Sequence, residues 1–413
     1  MLKKIAVSQL QVGMYLEEFC CSWMEHPFWR AGFVIADERD IERIAGSNVA
    51  EVWIDCSKGI DVSPDKPSIS LAEAQHGVES QFCAITAQES IGESAGATTG
   101  DDYGHAAALC GDAKQLAAEL FAQARMGRAI DTDSARQLVE KVLETVTDNN
   151  CALLSLVRLK TASDFTYMHS VAVCVLMVVL ARQLGFDRNQ SHTSGLAGLL
   201  HDIGKATLPL EVLHKPGRLD DSEFAVMQRH PEEGSRILKR CGIQGAALDV
   251  CLNHHARIDG AGYPNSIKGN DISVYARIAS VCDVYDAISS GRPYKAPWDP
   301  AESIHKMAEW AGGQFDRVVF HAFVKSIGIY PVGTLVRLKS GRLGVVVGQS
   351  ARSLLTPNVK TFFSTRTNAR IPPEIVDLAA PGCDEIIEAR EDPAKWNFPD
   401  LVELWSGLSG KPW

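Results

Sequence analysis

Between Ala106 and about Ile327, apolar residues return every three to four positions, the period of a helix with one buried face. That spacing predicts helices over residues 106–126, 134–148, 166–184, 192–200, 222–240, 245–255, 273–289 and 300–325. Lys215-Pro216-Gly217, the run from Gly260 to Pro264, and Gly291-Arg292-Pro293 punctuate them as turns. The pattern differs on either side. Residues 12–16 and 52–55 are rich in β-branched and aromatic side chains and predict strands, with a short helix over 37–44 between them. After Ile329, residues 333–338 and 343–347 flank Ser340-Gly341-Arg342, which predicts a hairpin, and residues 360–364 predict a further strand. Residues 63–105 show neither period and are dominated by Ser, Pro, Ala, Gly, Thr and Gln, so a mobile linker is expected there. The fold class expected is multidomain α+β. It comprises a small α/β unit (1–62), the linker (63–105), an all-α core (106–328, with its chemistry in 150–328) and a β-rich segment (329–413).

Composition narrows the class. A chain of 413 residues with 46% hydrophobic residues has material for two or three cored domains. The formal net charge of −10 excludes a bulk nucleic-acid binder, which carries a cationic footprint. The 11 cysteines are scattered, odd in number and free of any CxxC pair, so reduced thiols in a cytoplasmic protein are expected. Met1-Leu2-Lys3-Lys4-Ile5 lacks the apolar segment of a signal peptide. The longest apolar run, Val171 to Leu180, is short of the ~20 residues that span a bilayer, so a buried helix is expected.

The histidines are not scattered. His169, His192, His201, His214, His230, His254 and His255 all fall between residues 169 and 255. His201-Asp202 stands at the end of a predicted helix, and His169, His230, the His254-His255 pair and Asp283 lie on other helices. Near a helix end, where the backbone loosens, adjacent side chains can enter one cavity. Imidazoles and a carboxylate together suit iron, manganese, zinc, cobalt and nickel, and a carboxylate can bridge two ions. Two ions about 3.5–4 Å apart are a standard device for phosphodiester hydrolysis. Any one such histidine is commonly a core residue; the ordered set of seven positions is what carries the reading.

This set resembles the H…HD…D signature of the HD superfamily of metal-dependent phosphohydrolases. The run from His254 to Pro264 is similar to the HHExxDGxGYP motif of its HD-GYP branch, His230-Pro231-Glu232-Glu233-Gly234 to HPxxG, and Lys215-Pro216-Gly217-Arg218-Leu219 to KPGxL. Residues 1–62 resemble a small domain often found before such cores. The resemblance implies an HD-type helical core that hydrolyses the second messenger cyclic di-GMP to linear pGpG and/or GMP. It implies two divalent ions per chain, iron or manganese foremost, with zinc, cobalt and nickel as further options. His169, His201, Asp202 and Asp283 would hold one ion, and Asp202 would bridge to a second held by His230, His254 and His255. A metal-bridged hydroxide would attack phosphorus. Lys205, Arg292 and Lys295 would meet the phosphates, Lys205 alternatively assisting the leaving group. Gly262 and Tyr263 would line the substrate site, in a loop that also offers a surface to regulatory partners. Asp286, one turn beyond Asp283, is expected to orient Lys205.

Two positions depart from the pattern. Phe165 stands where some HD-GYP members carry a third-metal Glu, so two ions are expected rather than three. Ala256 replaces the Glu after the histidine pair; that Glu is not among the expected ligands, so activity is expected to survive. The rival reading is a weakly active or inactive module that senses cyclic di-GMP or regulates a partner. A different HD hydrolase, acting on deoxynucleotides or a guanosine alarmone, would not require His230, His254, His255 or the Gly262-Tyr263-Pro264 loop. Oligomeric state stays open, a homodimer included.

Overall fold

The computed structural model describes residues 1–20, 32–47, 49–87, 100–148, 150–160, 165–215, 217, 219–290, 298–350 and 352–408. At the N-terminus, β1 (Leu2–Ala6), β2 (Tyr15–Phe19), β3 (Phe33–Val34), α1 (Glu38–Ala45), β4 (Glu51–Asp55) and β5 (Ile69–Ser70) form an antiparallel sheet of order β3-β2-β4-β1-β5 with one helix. Ile5, Met14, Leu16, Ile35, Ile44, Val52 and Ile54 close its core. The first predicted strand starts later than expected, because Val12 and Gly13 form a turn. α1 begins where Asp37 accepts a hydrogen bond from the Asp40 N–H at 3.2 Å, a side-chain N-cap.

The expected linker is in part structured. α2 (Leu71–Ala87) is a helix, and α3 (Gly100–Arg125) begins inside the same stretch. Val78, Phe82 and Ile85 of α2 are buried in the main core, and Phe82 meets His305 edge-on at 4.8 Å. These three follow helical spacing within a Ser-, Ala- and Gln-rich composition, so the period was present and the composition concealed it. Residues 88–99 lie outside the described residues.

The helical body continues with α4 (Thr132–Asp148), α5 (Asn150–Leu156), α6 (Phe165–Gln183), α7 (Arg188–Leu200), α8 (Leu210–Leu213), α9 (Asp221–Met227), α10 (His230–Arg240), α11 (Ala246–Asn253), α12 (Val274–Ser289), α13 (Pro300–Trp310) and α14 (Arg317–Ile327). Two predicted helices are each divided. Residues 222–240 break before α10 because Pro231 is compatible only with a first helical turn. Residues 300–325 break at Gly312-Gly313 between α13 and α14. α6 is long and apolar enough to cross a membrane by length and composition. Its residues from Met168 to Ala181 are nevertheless buried, with α7 and α12 packed against them. An all-round apolar helix of this kind is a core helix. Among the described residues no disulfide joins two cysteines.

The C-terminal segment forms β6 (Leu335–Leu338), β7 (Arg342–Gly348), β8 (Asn358–Ser364), β9 (Ala369–Asp377) and β10 (Ile387–Arg390), then α15 (Pro393–Trp396) and α16 (Leu401–Ser406). The sheet order is β10-β6-β7-β8-β9. Val336, Leu338, Val346 and Val359 face one small core, while Leu335, Leu343, Val345 and Phe362 join that of the helices. Trp405 is buried there, edge-on to Tyr103 at 5.7 Å, so it completes a core. Lys306 of α13 pairs with Glu18 of β2 at 2.7 Å, tying the N-terminal sheet to the helical body.

Candidate active site

Helix ends build the site. α7 finishes at Leu200; His201 keeps helical angles (φ −55°, ψ −37°), and Asp202 leaves them (φ −100°, ψ 8°) before a tight 3-10 turn over Ile203–Thr207. That change of direction aims two adjacent side chains at one point. Gly204 lies so close to the start of α10 that a Cβ would overlap the His230 carbonyl oxygen. His254 and His255 follow the last residue of α11, and a Cβ on Gly262 would overlap the His255 carbonyl oxygen. α6 supplies His169. α12, capped by the Ser273 hydroxyl accepting from the Ala276 N–H at 3.1 Å, supplies Asp283 and Asp286.

The structure brings His169, His201, Asp202, His230, His254, His255 and Asp283 together, all but His255 fully buried. The Asp202 carboxylate divides them. Its Oδ2 is 3.5 Å from His169 Nε2 and 3.4 Å from His201 Nε2. Its Oδ1 is 3.3 Å from His230 Nε2 and 3.8 Å from His254 Nε2. Asp283 Oδ1 lies 2.9 Å from His169 Nε2, and Oδ2 lies 3.7 Å from His255 Nδ1. The other ring nitrogens are committed: His201 Nδ1 to Gly198 O at 2.7 Å, His230 Nδ1 to Met227 O at 2.8 Å and His254 Nδ1 to Val250 O at 3.0 Å. A carbonyl only accepts, so each Nδ1 carries the hydrogen and each Nε2 lone pair faces inward.

This arrangement fits a cation. His201 Nε2, Asp202 Oδ1 and Asp283 Oδ2 are buried without a hydrogen-bond partner among the described residues. Buried polar atoms are normally satisfied, and an ion is a standard resolution of such exceptions. The electrostatics agree. Burial pushes His230 down to about 3, His254 to about 4 and His255 well below its ordinary value, so these imidazoles stay neutral. For Asp202 burial works against the charge, yet Lys205, His201 and His230 hold the carboxyl well below the usual range. Asp283 is likewise lowered against burial, by His169, His255 and His201. Burial opposes a charge on His201, but Asp202 and Asp283 outweigh it and raise its pKa.

Comparison with known proteins divides the chain inside α4. Residues 136–319 match the HD domain, and residues 2–135 match a domain of unknown function, DUF3391. The cyclic di-GMP phosphodiesterase PA4108 of Pseudomonas aeruginosa is 50% identical over 99% of this chain and 97% of its own. The chain belongs to the HD-GYP family of HD-domain phosphodiesterases. The 3'3'-cGAMP-specific phosphodiesterase 1 of Vibrio cholerae is 37% identical over 40% of this chain and 38% of its own. The solved structure of Bd1817, an HDG"Y"P protein from Bdellovibrio bacteriovorus, covers 78% of this chain and 98% of its own at 18% identity and a TM-score of 0.46.

HD-domain phosphohydrolases are metal-dependent, and this HD-GYP chain carries a matching His/Asp cluster. Around it, some expectations change. Asp286 does not orient Lys205. Its Oδ2 meets His169 Nδ1 at 2.6 Å and the Lys160 ammonium, whereas Lys205 pairs with Asp202. The two acids share one face of α12 a turn apart, so Asp283 meets His169 Nε2 and Asp286 the far Nδ1, while Lys205 retains 19% side-chain exposure beside Asp202. Sequence reasoning missed Lys160, which lies outside the quoted motifs and has only a preceding apolar run to announce it. Phe165 stacks on His169, with ring centres 5.6 Å apart and planes at 11°. Ala256 is buried against Ile272 and Ala276, with Ile258 and Ile267 alongside. Tyr263 stacks on His255 at 4.6 Å, placing its ring beside the only partly exposed imidazole of the cluster. Arg292 and Lys295 lie outside the described residues.

Proposed function

We propose that the cluster is a two-ion centre at which this protein hydrolyses cyclic di-GMP to linear pGpG and/or GMP, lowering the messenger's level. The observation that carries this reading is the split of Asp202, whose two oxygens each face a different pair of imidazoles. His169, His201, Asp202 and Asp283 would hold one divalent ion, and Asp202 with His230, His254 and His255 the other. When bound, such ions lower the pKa of water and offset charge on a phosphodiester. The donor set suits iron and manganese, and also zinc, cobalt and nickel.

The chain's own residues supply the rest. The hydrogen bonds from Nδ1 to backbone carbonyls hold the rings of His201, His230 and His254 in one orientation before substrate arrives. Lys205, part-exposed at the mouth, is placed to donate to a phosphate oxygen once an ion takes over Asp202, or to protonate the leaving oxygen. Gly262 keeps its loop tight against the site and Tyr263 covers His255, so the pair forms a wall for the substrate. Arg292 and Lys295 are assigned to the phosphates by their motif alone. The same loop is the surface assigned to regulatory partners.

The test is turnover by anaerobically purified protein loaded with Fe(II) or Mn(II), with cyclic di-GMP and 3'3'-cGAMP offered separately and products resolved by chromatography. Conversion of cyclic di-GMP at the higher kcat/KM is expected. Binding without conversion under reducing conditions would establish the regulatory module instead, and preference for 3'3'-cGAMP would replace the substrate.

A further inference from the structure

We infer that Lys160 is a positioning residue for the His169 ligand, acting through Asp286. The inference rests on the proposed metal-holding role of His169. The side chains of Lys160 and Asp286 are both fully buried, and the Lys160 ammonium contacts Asp286 Oδ2. The same oxygen lies 2.6 Å from His169 Nδ1. The other carboxylate oxygen accepts from the Ser290 hydroxyl at 3.3 Å, so both ends of Asp286 are held and its plane is fixed. At the far side of the ring, His169 Nε2 points to Asp283 Oδ1 at 2.9 Å and Asp202 Oδ2 at 3.5 Å.

Phe165 closes the arrangement. Its ring stacks on His169, and the Lys160 ammonium sits 5.5 Å from its centre, within the range of a cation–π contact. Lys160, Asp286, His169 and Phe165 therefore form a closed ring of contacts in which the imidazole is held on its edge and on its face. Lys160 holds the carboxylate against the ring, and it supplies the counter-charge without which a buried Asp286 would be costly. Partners that orient a ligating histidine are commonly worth 10–100-fold in metal affinity.

The test uses the full chain, stripped of metal and titrated anaerobically with Mn(II) or Zn(II) against a chelator of known affinity. Lys160→Met is expected to weaken one of the two ions about tenfold or more and leave the other within twofold. Lys160→Arg, which keeps the charge and the donor, is expected to recover most of the loss. Lys160→Met in an Asp286→Asn background is expected to add nothing further, because the effect runs through Asp286; that pair also leaves no lone buried charge should the single variant fail to fold. Wild-type affinity for both ions in Lys160→Met, or additive losses in the double variant, would overturn the inference. His169→Ala distinguishes that failure from failure of the site reading: if it keeps both ions, the ligand assignment itself is wrong.

Discussion

His230 Nε2 stands 3.1 Å from His254 Nε2, although both rings already give their Nδ1 hydrogen to a backbone carbonyl. His255 Nε2 is 3.2 Å from the same His230 atom. Buried lone pairs facing one another repel, and a cation between them turns repulsion into ligation. Metal removal should therefore lower the melting temperature of the intact protein. Restoring an ion at 100-fold over its Kd should return about 2.7 kcal/mol per site. Scanning calorimetry before and after chelation measures this, and an unchanged transition in verified metal-free protein would refute it.

The metal-free protein should also be acid-sensitive in a defined window. Burial holds His230 at about 3 and His254 at about 4 in the folded chain, against an ordinary 6.5 once unfolded. Between those values the unfolded chain binds more protons, so stability rises with pH and is lost as pH falls from about 6.5 toward 4. His255 acts in the same direction, while His201, raised by Asp202 and Asp283 against its burial, acts in the opposite one. Three groups against one leave a net acid destabilisation. Calorimetry of chelated protein from pH 7.5 to 4.5 should show a falling melting temperature; a flat or rising profile would contradict the burial of neutral imidazoles.

The shared position of Asp202 predicts unequal losses of metal. His169→Ala and His254→Ala should each lower the content by one ion per chain, because each ring faces one oxygen of Asp202. His201→Ala combined with Asp202→Ala should leave neither ion bound and no detectable hydrolysis. Elemental analysis of purified variants separates these outcomes. Two ions retained without Asp202 would show that the carboxylate is not shared.

Much of this was legible because the chemistry is written in order along the chain. His201-Asp202, His230 and His254-His255 fall at helix ends, where neighbouring side chains converge, and Asp283 lies on the helix packed against that of His169. What stayed hidden has local causes. α2 escaped notice because only Val78, Phe82 and Ile85 keep its helical period within a linker-like composition. The break before α10 turns on Pro231, whose effect depends on whether it falls in a first turn. Asp286 was found, but its partner was misassigned, since one turn of spacing does not say which neighbour the far carboxylate will meet. Lys160 could not be read at all: its value comes from contacts with residues far along the chain, which only packing reveals. Strands β9 and β10 were missed as well; β9 carries Pro372 and Pro373 and is largely exposed at the sheet edge, where a missing N–H is tolerated.

Ala256 yields the last prediction. The motif's usual Glu is absent, and the structure has built an apolar contact in its place: Ala256 is 3% exposed against Ile272 and Ala276, with Ile258 and Ile267 partly buried alongside. The nearest cation in sequence, Arg257, is already bound to Asp259 at 3.0 and 2.6 Å. Ala256→Glu would thus insert extra volume and a carboxylate into an apolar cluster. Overpacking alone costs about 1–3 kcal/mol, and an unpaired buried polar group adds a comparable amount. A loss of about 2–6 kcal/mol is expected, together with reduced kcat/KM, because the same segment carries His255 and leads into the Tyr263 loop. Denaturant unfolding and steady-state kinetics on the one variant test both parts. Unchanged stability with faster turnover would show instead that the position had kept room for the motif's carboxylate.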